Sequence, residues 1–337
     1  MIKKTYFIAE IGVNHEANFK LAKKIILDAK RAGANAVKLQ CYKAEKIAST
    51  YARAYWDKKE EKENNQLKLY KRFDKFENSD YQKIYNYCKK INIDFIITCF
   101  DIESVNFFKN KVKYFKISSS DITNFPLIEK IAKTKKPIIL STGASNIKEI
   151  SSAIKLIKKY TKKIYLLHCI LNYPTKRYDA NLNMIDDLKK KFNLPVGISD
   201  HTIPEDSQAI LLIAVQKGIS IIEKHFTNNK SKKGNDHFHS FDKLDLIKFN
   251  KRLIDLNLIN GSSKKNYLKS EINSRKNARR SLFYNKNLKQ NHKLKGNDII
   301  ALRPAIGISP IYYKKVIGRK IRKKVLKGSI IKFSDFI

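Results

Sequence analysis

Short apolar runs alternate with longer amphipathic segments from the start of the chain to about residue 256. The runs are Tyr6–Ile11, Ala36–Gln40, Phe95–Thr98, Tyr114–Ile117, Ile138–Ser141, Ile164–His168, Val196–Ser199 and Ile221–His225. Each is rich in β-branched or aromatic residues and continuous rather than alternating, which is how a strand buried on both faces reads. Helical patterns fill the intervals at Phe19–Ala32, Tyr81–Ile91, Ile102–Lys109, Pro126–Ala132, Ile147–Tyr160, Met184–Phe192, Asp206–Lys217 and Leu244–Leu256. Strict alternation of eight strands with eight helices predicts an α/β protein built as a (β/α)8 TIM barrel. The competing open, doubly wound sheet would commonly carry Gly-x-Gly-x-x-Gly after its first strand, and that string is missing.

One connection departs from the rhythm. The stretch from Tyr42 to Asp80 is far longer than a usual strand-to-helix loop, with a helical insert expected at Gln66–Phe73. It leaves from the barrel end where active sites lie. Past residue 258 the texture changes. Residues 259–278 read as a polar linker, and residues 279–337 as a small β-rich domain with strand-like pieces at Arg280–Tyr284, Ile299–Leu302 and Ser329–Phe333. The expected division is therefore 1–258, 259–278 and 279–337.

Composition narrows the class. The 337 residues are 42% hydrophobic, enough for a substantial core, and no run reaches the ~18 apolar residues of a membrane span. Lys3 and Lys4 precede an apolar run that Glu10 breaks, so a secretory leader is not expected. Cys41, Cys88, Cys99 and Cys169 form no C-x-x-C pair and fit a reducing compartment, the cytoplasm. Lys plus Arg number 70 against 31 Asp plus Glu, a net charge of +39. Because the lysines are spread evenly among many Ile and Asn residues, the reading is coding bias with no nucleic-acid partner, although such a field favours anionic small substrates.

Polar residues cluster where barrel chemistry is done. The carboxyl ends of the strands carry Glu10 with Asn14 and His15, Lys38 with Gln40, Thr98, Lys116 with Ser119 and Asp121, Ser141, His168 with Tyr173, Ser199 with His201, and Glu223 with His225. Any one could be a satisfied rim residue; eight together indicate a site. Lys38 and Lys116 sit in buried strands, where an unpaired ammonium is costly. An anion between them, with hydroxyls from Ser119, Ser141 and Ser199, would satisfy both; Schiff-base chemistry is the rival role. His201 and His225 end neighbouring strands and could hold a Lewis-acid metal, or bond substrate instead. His15, His168, His237 and His239 read individually as structural or substrate-facing. Glu10, Asp121, Glu223 and Asp236 could bind hydroxyls, move protons or pair with the lysines. Cys99 and Cys169 read as small buried fillers.

The strings IAEIGVNH (8–15), KLQ (38–40), TCF (98–100), KISSSD (116–121), LSTG (140–143), LHCILNYPT (167–175), GISDHT (197–202), EKHFT (223–227) and GNDH (234–237), taken in order, resemble the sialic acid synthase family. RRSLF (279–283), RPAIGI (303–308) and IGRKIRKKVLKGSII (317–331) resemble its antifreeze-like SAF domain. The resemblance implies condensation of phosphoenolpyruvate with an N-acylated hexosamine such as N-acetylmannosamine, giving a nine-carbon 2-keto sugar acid and phosphate by C–O cleavage. It implies that Lys38, Lys116, Ser119, Ser141 and Ser199 hold phosphoenolpyruvate, and that His201 and His225 hold a divalent metal, Mn2+ or Mg2+. Glu10, Gln40, Thr98, Tyr173 and Asp236 would face the sugar, with Glu10 also among the catalytic groups. Asp121 takes the place of the carboxylate that positions or deprotonates water. Arg303 would reach the neighbouring subunit's sugar in a domain-swapped homodimer.

Three positions depart from the family pattern: Asp121 where Glu is common, Leu171 where a polar contact is common, and Asn235 in place of proline. Legionaminic and pseudaminic acid synthases share nearly the same strings, so the sugar stays open. Two competitors remain. A keto-deoxyoctulosonate-type synthase would need a sugar-phosphate site, and a basic nucleic-acid-binding protein would need clustered charge.

Overall fold

Alternate residues of a strand point to opposite faces, and here both faces are apolar over most of each run. The strands therefore close on themselves, with helices outside. The computed structural model describes residues 5–56, 58–59, 61–234 and 236–337. Strands β1 (Tyr6–Gly12), β2 (Ala36–Cys41), β3 (Asp94–Cys99), β4 (Phe115–Ile117), β5 (Ile138–Ser141), β6 (Ile164–Cys169), β7 (Val196–Asp200) and β8 (Ile221–His225) pair in parallel with their sequence neighbours. β8 closes on β1, with Glu10 opposite His225. The expected TIM barrel is thus the fold.

Helix starts follow local chemistry. Asn18 caps Phe19–Arg31 by accepting from the Leu21 amide, and Asn146 and Asp242 form capping boxes on Ile147–Lys158 and Lys243–Asn260. Such caps contribute about 1 kcal/mol each. Ala22, Ile25, Ile26 and Ala29 form the buried stripe of the first helix. The helix expected at Asp206–Lys217 begins only at Ala209. Gln208 takes a left-handed conformation with φ of 52° and spends its side-chain amide on the Asp245 carbonyl at 2.8 Å.

Helix Lys243–Asn260 runs past its expected end and stops at Gly261, whose φ is 55°. The chain divides there into two compact units, Met1–Gly261 and Ser262–Ile337. The stretch expected to be a linker is not irregular throughout, since Ile272–Ala278 is helical. In the second unit β9 (Ser281–Tyr284) pairs antiparallel with β10 (Ile299–Leu302), over a core of Leu282, Tyr284, Leu294, Val316, Ile321 and Ile331. The strand expected at Ser329–Phe333 reduces to one bridge between Ile330 and Phe283. The Asp335 carboxylate accepts from the Lys332 amide at 2.9 Å and turns the chain into the 3-10 turn Phe333–Asp335. Among the described residues no helix is long and apolar enough to cross a membrane.

Candidate active site

The barrel lumen is layered. Ile8, Ala36, Ile96, Ile139, Leu167 and Ile221 form one dry cluster. Two residues further along those strands, on the same face, stand Glu10, Lys38, Thr98, Ser141, Cys169 and Glu223, all buried. Gly197 belongs to this packing: a Cβ there would lie 2.3 Å from the Ile221 carbonyl oxygen and 2.7 Å from a Leu167 methyl.

The polar layer is an ion network. Lys38 pairs with Glu10, lies 3.7 Å from Glu223 and donates to Thr98 Oγ1 at 3.2 Å. Lys116 donates to Glu223 Oε1 at 3.2 Å, and Ser199 donates to the same oxygen at 3.3 Å. Burying an ion costs several kcal/mol, so this arrangement persists only because each charge has a partner. The protein's own carboxylates thus take part of the role assigned from sequence to an outside anion. Their compensation is uneven. Burial raises the Glu223 carboxyl, but Lys116 and Lys38 outweigh that and bring it down to about 2. Burial lowers Lys38, and Glu10 with Glu223 more than reverses it. Lys116 has only a share of Glu223, and burial leaves it lowered.

A small pocket of about 30 Å³ opens on this layer, lined among others by Lys38, Lys116, Ser119, Ser141, Ser199 and Thr98. Ser119 Oγ accepts from the Gly143 amide at 2.9 Å and keeps its own proton as a donor, turned toward Cys169. Ser141 Oγ is buried with no hydrogen-bond partner among the described residues. Such an orphan costs about 1–3 kcal/mol. An under-compensated lysine beside an unused hydroxyl is what an anion would satisfy. Glu10 lines neither this pocket nor the larger cavity above it; it is fully buried behind Lys38 and accepts from Gln40 Nε2 at 3.2 Å.

At the rim the imidazoles gather. His201 Nδ1–H donates to the Ile170 carbonyl at 2.9 Å, which leaves Nε2 as the free lone pair. The rings of His201 and His225 are 5.3 Å apart, and Tyr173 stacks 4.2 Å from His201. His225 Nδ1 lies 3.1 Å from Asp236 Oδ2. Burial works against charge on Asp236, yet His225 beside it holds its carboxyl far below the usual range. His225, Asp236 and His239 bring three donor atoms within 4.8 Å of one another. Both ring nitrogens of His239 are buried without a hydrogen-bond partner among the described residues. These orphaned donors fit a divalent cation.

Above lies a cavity of about 420 Å³ that shares Gln40, Leu171, Tyr173 and His225 with the inner pocket. Its outer wall comes from the long connection after β2, through Tyr42, Tyr55, Trp56 and Tyr70. The expected helical insert is present as Gln66–Lys71. That segment is pinned by Phe76, which stacks on His15 at 4.5 Å. Asp121 and Asp236 put carboxylates into the same wall. Burial raises the Asp121 carboxyl, opposed by Asn124, which donates to Oδ1 at 3.0 Å. Arg303 is exposed in the second unit, and Asn235 lies outside the described residues.

The model of the NeuB family matches residues 25–265, and that of the SAF domain matches residues 279–337. The chain belongs to the NeuB family. An uncharacterized protein of Methanocaldococcus jannaschii is 38% identical over 99% of this chain and 95% of its own length. The N,N'-diacetyllegionaminic acid synthase of Campylobacter jejuni is 36% identical, covering 98% of this chain and all of the relative. The crystal structure of the N-acetylneuraminic acid synthetase of Leptospira borgpetersenii, in complex with citrate, is 34% identical, with a TM-score of 0.69 over 80% of this chain and 90% of that one.

In this NeuB-family barrel most strand-end residues named from sequence line the two pockets, but Glu10 lies behind Lys38, while Asn14, His15 and His168 line neither and make their own contacts to Ser240, Phe76 and the Ala180 carbonyl. Three features were missed. His239 read as structural or substrate-facing because single histidines usually are, although it stands three residues past Asp236 in the string after β8. The aromatic wall was signalled only by the density of Tyr51, Tyr55, Trp56, Tyr70 and Phe73 in a stretch read as a long loop. Lys224, wholly buried, faces away from the site and pairs with Asp200 at 2.7 Å.

Proposed function

We propose that this NeuB-family member condenses phosphoenolpyruvate with the open-chain aldehyde of an N-acylated hexosamine, giving a nine-carbon 2-keto sugar acid and phosphate. The observation that carries the reading is the adjacency of two unlike chambers. A cationic pocket with an under-compensated Lys116 and an unused Ser141 hydroxyl opens into an aromatic cavity rimmed by imidazoles and carboxylates.

Lys38 and Lys116 would bind the anionic groups of phosphoenolpyruvate, and Ser119, Ser141 and Ser199 would orient them. Gln40, Tyr173 and Asp236 would hold the sugar hydroxyls, with Glu10 setting Lys38 and Gln40 from behind; Thr98, expected at the sugar, lines the inner pocket and would steady Lys38 instead. His201 and His225, with Asp236 beside them, would hold a divalent cation, Mn2+ or Mg2+; when bound it supplies Lewis acidity toward the aldehyde oxygen. The methylene carbon of phosphoenolpyruvate attacks the aldehyde carbon and the aldehyde oxygen takes a proton. Asp121 Oδ2, left available by the Asn124 bond to Oδ1, accepts a proton from the water that adds at C2. The C2–O bond to phosphate then breaks with its electron pair going to phosphate, the new C2 hydroxyl gives its proton to the departing phosphate as the keto group forms, and the proton taken by Asp121 replaces the one gained by the aldehyde oxygen. Burial raises the basicity of Asp121, which suits a proton acceptor. Arg303 would complete the sugar site of a second protomer in a domain-swapped homodimer.

The likeness to the legionaminic acid synthase supports a diacylated sugar, and the likeness to the N-acetylneuraminic acid synthetase supports N-acetylmannosamine. Phosphate release from phosphoenolpyruvate, with product mass, over a panel of phosphorylated and unphosphorylated N-acyl hexosamines separates these. A strict requirement for a phosphorylated sugar would sink the reading.

A further inference from the structure

Six histidines of the barrel unit are buried; His225 has Asp236 3.1 Å from its Nδ1, and the other five differ in one respect. His168 Nε2 meets the Ala180 carbonyl at 2.8 Å, His237 Nδ1 meets Thr227 Oγ1 at 2.7 Å, and His15 Nδ1 accepts from the Ala17 amide at 3.1 Å. His201 Nδ1 has the Ile170 carbonyl. Each of those rings is held by the protein. His239 is fully buried, and neither of its nitrogens has a partner among the described residues. It is also aimed. Its ring centre lies 4.8 Å from that of His225, and Nε2 lies 3.9 Å from Asp236 Oδ1. Phe238 packs edge-on at 4.8 Å and Tyr173 at 5.5 Å, so the ring is fixed by aromatic neighbours rather than by hydrogen bonds.

We infer that His239 is a direct ligand of the cation at this rim, completing with His225 and Asp236 a set of two imidazoles and one carboxylate. The inference rests on the reading above that a divalent cation works here, and adds to the groups that hold it. Two imidazole nitrogens favour borderline transition ions such as cobalt or zinc over magnesium, which prefers an all-oxygen shell. Three protein donors also leave coordination positions open on the cavity side, as a site that must admit substrate requires. His201, its ring 5.3 Å from that of His225 and 6.2 Å from that of His239, is near enough to add its nitrogen to this set from the opposite wall.

The test uses the full chain, stripped with a chelator and titrated with Co2+ alone, followed by visible absorption and competition with Mg2+. The wild type should take up one equivalent that millimolar Mg2+ does not displace. His239→Ala should weaken Co2+ binding by at least about tenfold. His239→Cys should restore binding and add a near-ultraviolet sulfur-to-cobalt band above the wild-type spectrum, a signature that a merely structural role for residue 239 cannot produce. Cobalt affinity and spectrum unchanged in His239→Ala, or no new band in a folded His239→Cys, would overturn the inference. Because no substrate is present, wild-type cobalt binding of this kind without phosphate release would support His239 as a ligand while counting against the sugar-acid reading.

Discussion

Replacing Glu223 by Gln tests the ion network that builds the inner pocket. In the folded protein the Glu223 carboxyl moves from its ordinary value of 4.5 to about 2, because Lys116 at 3.2 Å and Lys38 at 3.7 Å outweigh the cost of burial. A displacement of that size corresponds to roughly 3 kcal/mol in favour of the charged form. It falls within the ~3–5 kcal/mol lost when one partner of a buried pair is removed. The sign follows from the depressed value. The contribution is complete above pH 4.5 and is lost as pH falls through about 2. Urea unfolding, followed by the single tryptophan, Trp56, in the barrel unit, should show Glu223→Gln less stable by roughly 3 kcal/mol at pH 7. The gap between the two proteins should shrink by roughly 2 kcal/mol at pH 3. A gap that is below about 1 kcal/mol at pH 7, or that does not change with pH, would refute the network's role.

Lys116→Met should raise the KM for phosphoenolpyruvate by about 10- to 100-fold, the loss of one charged hydrogen bond, with the sugar KM little changed; steady-state kinetics in both substrates decides it. Asn124→Ser keeps the helix cap but removes the hydrogen bond to Asp121. Its carboxyl should rise further, so the acid limb of the kcat profile should move to higher pH; an unmoved limb removes Asp121 as the base. Tyr55→Ala should weaken sugar use while leaving phosphate binding intact, as inhibition by inorganic phosphate would report. Chelation should stop turnover, and Mn2+ or Co2+ should restore it; full activity in excess chelator would remove the cation from the reaction.

The alternation of apolar runs and helical patterns determined the barrel almost to the residue. β5 and β8 begin and end where the pattern placed them. Burial on both faces is a local property that composition records directly. Strand-end chemistry was legible for a related reason, because a polar residue inside an otherwise continuous apolar run must be satisfied by something. What satisfies it was not legible. Lys116 and Glu223 are 107 residues apart, and only closure of β8 onto β1 brings Lys38, Glu10 and Glu223 into one layer. The choice between an outside anion and an internal carboxylate is therefore a tertiary one. His239 shows the same limit at the rim. One histidine in a loop has no pattern, and it becomes a candidate ligand only where the fold sets it beside His225 and Asp236 and gives its nitrogens nothing else to bond.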